Sequence, residues 1–414
     1  MNNPTPWELR EQIVYLTGAC AVVLMTVSMI LSARIAFVSH WMNGLDKGYI
    51  VHKWTGILSS VFVLSHFLME NVPHWLVELN IIPNPGELTD GSQYAELEID
   101  LYQSGMLLIQ PAFYLMIALV VIALFKKIPY HWFRKSHKIF PVIFLIAAFH
   151  GATAQLKERW LGSPGSFILM FVLTIGVIAA VIALFRKIGA SRKITAKISS
   201  IDLREGDILD LRLSTEGSAF DYWPGQYAFL KFAHDKEPHP FSMASFDNQR
   251  SSLRFAIKGL GDFTSALSER LSVGQTVEVE GPYGEFDFND GCDRQVWIAG
   301  GIGITPFLSR LAYLAQHPER KPIDFWYSTR CARTEAFPQS LEQYCGQAGV
   351  NFYHLDSTKQ EYLALASIRH RAGDLTNTSI WFCGPEAFSD CLIKELKESG
   401  FDLRNFHYDS FSMR

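Results

Sequence analysis

The chain has 414 residues, of which 49% are hydrophobic and 19% charged, with a net charge of −4. That length calls for two to four domains, and a slightly acidic balance without a basic face excludes nucleic acid as a partner. Six cysteines, Cys20 in the first apolar run and five scattered after residue 290, make no disulfide framework and suit a reducing compartment around the C-terminal part.

Nearly all long apolar runs lie between Ile13 and Phe185, and beyond about Ile188 the composition is that of a soluble α/β protein. Five membrane spans are expected: Ile13 to Ala33, about Tyr49 to Met69, Met106 to Phe125, about Ile139 to Ala154, and Phe167 to Phe185. The first dozen residues lack the basic start and cleavage site of a signal peptide, so the first helix is expected to be retained. Lys126, Lys127, Arg134, Lys135 and Lys138 precede span four, and Arg186, Lys187, Arg192 and Lys193 follow span five, so both regions are expected in the cytoplasm. The stretch from Glu70 to Gln103 carries acidic residues and no Lys or Arg, which fits the opposite side. Spans two and four then run parallel, with the N-terminus outside.

Those two spans hold four histidines, His52 and His66 on one, His137 and His150 on the other. Separations of fourteen and thirteen residues correspond to roughly 20 Å along a helix, two depths in one bilayer. Polar side chains in hydrocarbon are costly, and four at matched depths point to two bis-histidine haem irons; the alternative is helix-end or interhelix hydrogen bonding. Parallel spans would pair His52 with His137 nearer the cytoplasm and His66 with His150 nearer the exterior. Fourteen residues return to within about 40° of one helical face, whereas thirteen leave about 140°, so the second pair requires a distorted helix. Pro141 supplies a cause, since it cannot donate to the His137 carbonyl. No CxxCH occurs, so haem would be held non-covalently, as b-type. Arg34, at the cytoplasmic end of span one, is either a snorkelling anchor or a counter-charge for a haem propionate.

From about Lys193 to Phe288, short alternating runs separated by Gly, Pro and Asp predict an antiparallel β-barrel. From Gln295 the rhythm becomes strand, glycine turn, helix, predicting an α/β domain with a parallel sheet. The expected fold class is therefore multi-domain: a helical transmembrane bundle over 1–190, a barrel over 191–290 and an α/β domain over 291–414. Gly300, Gly301 and Gly303, with Thr305 and Pro306, follow a strand and open a helix, so backbone amides can face a pyrophosphate. Cys383, Gly384 and Pro385 follow a later strand. Arg330, with Ser328 beside it, is either a receptor for a 2′-phosphate or a solvated strand-end arginine. In the barrel, HPFSMAS (residues 239–245) and GPYG (residues 281–284) each join small or hydroxyl residues to a constrained turn, as close approach to a flavin needs, although each alone is also an ordinary turn.

As an ordered set, LDKGYIVHKWTG, FRKSHKIF, FHG, HPFSMAS, GPYG, AGGIGITP and FCGP resemble the ferric reductase and NADPH oxidase superfamily over nearly the whole chain. The resemblance implies that His52, His66, His137 and His150 are axial ligands of two b-type haems. It implies that His239, Pro240, Phe241, Ser242 and Ser245 contact FAD, with Gly281, Pro282, Tyr283 and Gly284 near it. Gly301, Gly303, Thr305, Cys383, Gly384 and Pro385 would bind NADPH or NADH, and Phe411 would cover the flavin ring. Two features depart from the animal oxidases, which have six spans and carry a further histidine where this chain has Glu70. The expected activity is electron transfer from cytosolic NAD(P)H through FAD and two haems to an extracytoplasmic acceptor, oxygen or a ferric chelate, in a multi-pass inner-membrane protein. The alternative is an electron-transfer subunit that reduces a periplasmic partner protein.

Overall fold

A computed structural model describes residues 5–34, 38, 41–42, 44–83, 95–125, 127–157, 162–185, 192–215, 217, 219–233, 235, 237–330 and 338–409. The chain forms two compact units, residues 1–42 with 47–188, and residues 43–46 with 189–414.

In the first unit, α1 (Pro6–Ser32) begins at a capping box, in which the Thr5 hydroxyl accepts from Glu8 N and Glu8 accepts from Thr5 N at 2.7 Å, with Pro6 at the first helical position. Then come α2 (Leu45–Glu78), α3 (Glu96–Leu124), α4 (Tyr130–His137), α5 (Phe140–Lys157) and α6 (Pro164–Leu184). Among the described residues five stretches are long and apolar enough to cross a membrane, the fourth covering α4 and α5 together. The helices overrun the apolar windows predicted for them because polar flanking residues find caps and partners; α2 continues to Glu78. The fourth span is two helices rather than one distorted helix. Lys138 and Ile139 lie outside both, and Pro141, one residue into α5, occupies a position where its missing N–H costs nothing.

The bundle core joins Met25, Met29, Met116, Phe144 and Ala180. Gly176 is required there, because a Cβ would strike the Phe144 ring. Backbones approach closely where α1 meets α6, α3 meets α5 and α5 meets α6, whereas α2 is outside this tight set. Its lipid-ready side carries exposed Ile50, Trp54, Val61, Leu64 and Leu68.

The second unit begins with β1 (Lys193–Arg204), β2 (Ile208–Ser214), β3 (Tyr227–Phe232), β4 (His239–Ser242), β5 (Ser252–Lys258) and β6 (Thr276–Tyr283). They form one antiparallel sheet in the order β4-β3-β6-β1-β2-β5. A bridge between Met243 and Phe255, with Ala244 N donating to Arg254 O at 2.7 Å, brings the two edges together. HPFS, expected as a turn, is strand β4; Pro240 is tolerated because β4 ends the ladder. Leu211, Leu213, Leu230, Val277 and Val279 fill the interior.

Next come β7 (Arg294–Gly300), α7 (Thr305–Leu314), β8 (Ile323–Thr329), α8 (Pro338–Gln347), β9 (Asn351–Asp356), α9 (Leu365–Ala372), β10 (Thr378–Cys383), α10 (Glu386–Glu398) and β11 (Phe406–Asp409). The strands make a parallel sheet in the order β11-β10-β7-β8-β9. Trp297, Trp381, Phe307 and Phe325 pack its core. The order reverses between β7 and β10, so the crevice beyond their carboxyl ends is where such sheets bind ligands. An antiparallel sheet and a parallel sheet thus follow the helical bundle, a ferredoxin-reductase-like arrangement of the soluble half.

Candidate functional site

The four membrane histidines meet in two pairs. The rings of His52 and His137 have centroids 5.9 Å apart, inclined at 73°, and those of His66 and His150 are 6.4 Å apart at 70°. The helix break after His137 removes the angular conflict between residues 137 and 150, because the two belong to different helices. Imidazole nitrogen binds a transition metal at about 2.0 Å, and its ring centre lies about 1.1 Å further, so two imidazoles sharing one ion have centroids about 6 Å apart. Both pairs fit a single ion between them. Among the described residues no group of three or more His, Cys, Asp or Glu gathers as a metal site, so an ion here would have two protein ligands. That suits a porphyrin, which supplies four donors of its own.

The surroundings fit as well. His52 Nδ1 lies 3.1 Å from Ser28 O, and His66 Nδ1 lies 2.9 Å from Val14 O, both on α1. A carbonyl only accepts, so each Nδ1 carries the proton and each Nε2 presents a lone pair. Gly48 and Gly56, one turn either side of His52, have nothing within 4 Å of where a Cβ would stand, leaving room for a flat macrocycle. Arg34, half-buried, adopts the left-handed conformation (φ 51°) just after α1.

Sequence reasoning missed the residues just beyond the outer pair. Arg10, in the second turn of α1, donates from Nε to Met69 O at 2.9 Å and from Nη2 to Glu70 Oε2 at 2.7 Å, and His74 Nε2 is 3.4 Å away. The cation also lies 5.6 Å from the Trp7 ring centre. An arginine at the start of an otherwise apolar helix was the available signal.

In the parallel sheet the glycines divide by role. A Cβ at Gly303 would collide with Cys383 O, one at Gly300 would stand 2.8 Å from Pro385 Cδ, and one at Gly384 3.1 Å from Gly300 N. These three let the β7 and β10 turns touch. Gly301 differs: its φ is +54° and nothing lies within 4 Å, so its backbone faces open space at the approach to α7. Thr305 begins α7 and donates to Ile302 O at 3.2 Å, with Pro306 next to it. The Cys383 side chain faces the core rather than the crevice; it is fully buried, and burial, with Asp409 nearby, pushes its thiol well above the ordinary range. Ser328 pairs with Gly300 across β8 and β7. The carbonyl of exposed Arg330 is held by Thr358 N at 3.2 Å and Ser357 Oγ at 3.2 Å, which fixes the backbone beneath this side chain.

In the barrel, His239 stacks on Phe263 with ring centres 3.5 Å apart, and Pro240 and Phe241 follow it along β4. Ser242 Oγ is buried and finds no partner among the described residues, as expected of a hydroxyl reserved for a ligand. Ser245 O accepts from Tyr222 OH at 2.9 Å and from Ser309 Oγ at 2.8 Å, tying β4's extension to α7. Burial pushes the Tyr222 hydroxyl up to about 12, so it stays a donor. GPYG, expected as a turn, is the end of strand β6 followed by Gly284 (φ 99°); Gly281 (φ 152°), Pro282 and Tyr283 are braced by Arg192, which donates to Pro282 O at 3.0 Å and lies 5.1 Å from the Tyr283 ring centre. A buried Ser242 hydroxyl without a partner among the described residues fits a flavin, while Gly281 and Gly284 are packed against Tyr227, where a Cβ would stand 3.3 Å from its carbonyl oxygen and 3.1 Å from its ring. Phe411 lies outside the described residues.

Comparisons with known proteins divide along the same line. Residues 17–148 match the family described as ferric reductase like transmembrane component, and residues 193–287 match a FAD-binding domain. The reductase component of propane 2-monooxygenase from Rhodococcus jostii is 26% identical over 53% of this chain and 64% of its own length. Its counterpart from Mycolicibacterium goodii is 28% identical over 53% of this chain and 68% of that protein. The chain thus spans about two thirds of the length of these two relatives. A flavohemoglobin structure from Malassezia yamatoensis, described with bound FAD and heme, aligns over 97% of this chain and 98% of that one at 14% identity and a TM-score of 0.52, a likeness of fold alone. With a ferric-reductase-like transmembrane component and a FAD-binding domain matched in order along one polypeptide, the chain has the domain arrangement of the ferric reductase and NADPH oxidase superfamily, that of a membrane oxidoreductase with a flavin module.

Proposed function

We propose that this oxidoreductase carries electrons from cytosolic NAD(P)H through FAD and two b-type haems to an acceptor on the far side of the membrane, oxygen or a ferric chelate. A bound FAD would supply the conversion of a two-electron hydride into single electrons, and two haems would supply one-electron carriers across a hydrocarbon core of about 30 Å. His52 and His137 hold the inner iron, His66 and His150 the outer. The single observation that carries this reading is the doubled ring geometry, 5.9 and 6.4 Å, at two levels fourteen residues apart along α2.

The chain's own groups supply placement. Ser242, Ser245 and the Gly281–Gly284 segment receive the flavin, with His239, Pro240 and Phe241 along the same strand. The amides from Gly301 to Thr305, with Gly384 and Pro385 opposite, receive the dinucleotide diphosphate; Cys383 contributes main chain only. Arg330 and Ser328 favour a 2′-phosphate and hence NADPH, and Arg34 neutralises a haem propionate. The basic residues flanking the fourth and fifth spans support a cytoplasmic soluble half and an inner-membrane location. At the outer end, the Arg10–Glu70 pair stands where the animal oxidases carry a histidine, which favours a ferric chelate over oxygen.

A second reading has one observation behind it: two of the relatives are described as the reductase component of propane 2-monooxygenase. It makes the chain a subunit that reduces a periplasmic partner protein.

One experiment tests the proposal: iron and flavin analysis of purified protein, with spectra before and after NADPH under anaerobic conditions, then with a ferric chelate, and separately with oxygen. Two haems and one FAD per chain, reduced by NADPH and reoxidised by an added acceptor, are expected. Haem bands that do not respond in FAD-replete protein would sink it. Reoxidation only on adding a second protein would favour the subunit reading.

A further inference from the structure

We infer that α1, which contributes no haem ligand, is the helix that orients both haems, and that Gly18 is the positioning residue for the outer one. This rests on the reading of the four histidines as axial ligands. The contacts from α2 to α1 repeat with one period. His52 meets the carbonyl of Ser28 and His66 that of Val14, so both contacts are fourteen residues apart on both helices, running in opposite directions. One antiparallel register therefore serves two depths. At the inner level the register is pinned by a further hydrogen bond, Ser28 Oγ to Thr55 Oγ1 at 2.7 Å.

Helix carbonyls are already used once, by the amide four residues on, but an oxygen has a second lone pair. That lone pair is reachable only where neighbouring side chains leave it uncovered, and side chains three and four positions on lie over it. For Val14 these are Thr17, whose hydroxyl bends back to Ile13 O and Val14 O at 2.7 and 3.0 Å, and Gly18. A Cβ at Gly18 would stand 3.1 Å from both His66 Cε1 and Nδ1, inside ordinary contact, so the absent side chain is what admits the imidazole. At the inner level the fourth residue on is Ser32, also small, with its hydroxyl turned to Met29 O.

The consequence is chemical as well as steric. An Nδ1–H bonded to a carbonyl makes the imidazole a stronger donor through Nε2 and fixes its ring plane. The partner rings differ, since buried Nδ1 of His137 and of His150 has no acceptor among the described residues. Each iron therefore has one tethered ligand on α2 and one untethered ligand on the α4–α5 side, and α1 tunes both potentials through the α2 ligands alone. A stronger donor stabilises ferric iron, so loosening the Val14 tether raises the outer haem's midpoint potential and leaves the inner one in place.

The test uses full-length protein loaded with haem and FAD, comparing wild type, Gly18→Ala, Gly18→Val and, as a control on the exposed face of α1, Leu16→Ala. Haem and FAD per chain, low-spin electron paramagnetic resonance signals and a redox titration are measured. Gly18→Ala is expected to keep both haems and to move the midpoint and low-spin signal of one only, upward in potential. Gly18→Val is expected to lose one haem of two with FAD retained, while Leu16→Ala matches wild type. Unchanged midpoints and signals in Gly18→Ala, or shifts of both haems equally, would overturn the inference, and so would a Leu16→Ala response of the same size. If Gly18→Val loses flavin along with haem, Gly18→Ala alone decides. Wild-type protein without two haems would instead overturn the ligand reading beneath it.

Discussion

The two halves of this molecule build their sites by opposite means. In the helical unit the site consists of side chains reaching across helices: four imidazoles, with two main-chain carbonyls behind them. In the parallel sheet the site is made largely of missing side chains, three glycines letting two turns touch and a fourth leaving its backbone bare. The contrast follows from what each is proposed to bind. A metal held in hydrocarbon needs strong donors at fixed separation, and every polar group there is costly unless paired. A dinucleotide diphosphate is held by amides at a helix N-terminus, and close approach of the main chain is what matters.

The largest effect expected from breaking this contrast is on the side-chain half. His66→Ala should remove one haem of two and drop acceptor reduction to background, while NADPH still reduces the flavin; iron per chain and a stopped-flow trace at flavin wavelengths check it. Two haems retained would refute the outer ligand assignment. On the glycine half, Gly303→Ala forces a methyl into the Cys383 carbonyl and should cost about 3 kcal/mol, the upper end for overpacking. Gly301→Ala meets no atom and should cost only the ~1 kcal/mol of a left-handed alanine, while raising the KM for NADPH. Thermal melts of the two variants side by side measure the difference.

Acid should separate the halves. Asp210, whose side chain is fully buried, feels burial raising its pKa, but Arg254 and Arg204, each 2.7 Å away, win and hold it below the ordinary carboxylate range. Asp290 behaves likewise: burial raises it, while Lys321, Ser379, the Cys292 amide and Gln295 lower it. Folded values below the unfolded ones mean stability that is fully present above about pH 4 and lost as pH falls through the folded values. The soluble half should therefore open on acidification, reported by the fluorescence of Trp381, whose indole donates to Asp290 at 3.1 Å. Asp210→Asn should lower stability at neutral pH by about 2 kcal/mol, since it leaves arginines half-paired, and should flatten the acid transition. The smallest effect is expected at the exposed edge, where Arg330→Ala should shift preference from NADPH toward NADH by about tenfold in KM with kcat unchanged, a 2′-phosphate contact being one charge-assisted pair.

Several elements were legible in the chain itself. Apolar runs long enough to span a bilayer, the switch to alternating and then strand-turn-helix rhythm, and glycines at strand ends are local signals, each written within about twenty residues. That is why β2, over Ile208–Ser214, coincides with the run ILDLRLS, and why the spans fall where hydropathy places them. Where reading ran short, the cause was distance along the chain. Residues 137 and 150 looked incompatible on one helix, yet the chain breaks at Lys138–Ile139 and the constraint disappears. HPFS read as a turn because its partner, β3, decides that it is a strand.

Sequence by itself therefore determined the elements, the spacing of the histidines along them and the residues free of side chains at the turns, because these depend on period, hydropathy and local backbone freedom. Tertiary structure alone decided which imidazoles meet, that α1 carbonyls stand behind those of α2, that Arg10 is claimed by Glu70, and that the Cys383 thiol faces the core. Each of these joins groups from different elements, and their meeting is set by how helices and strands pack rather than by any pattern within one of them.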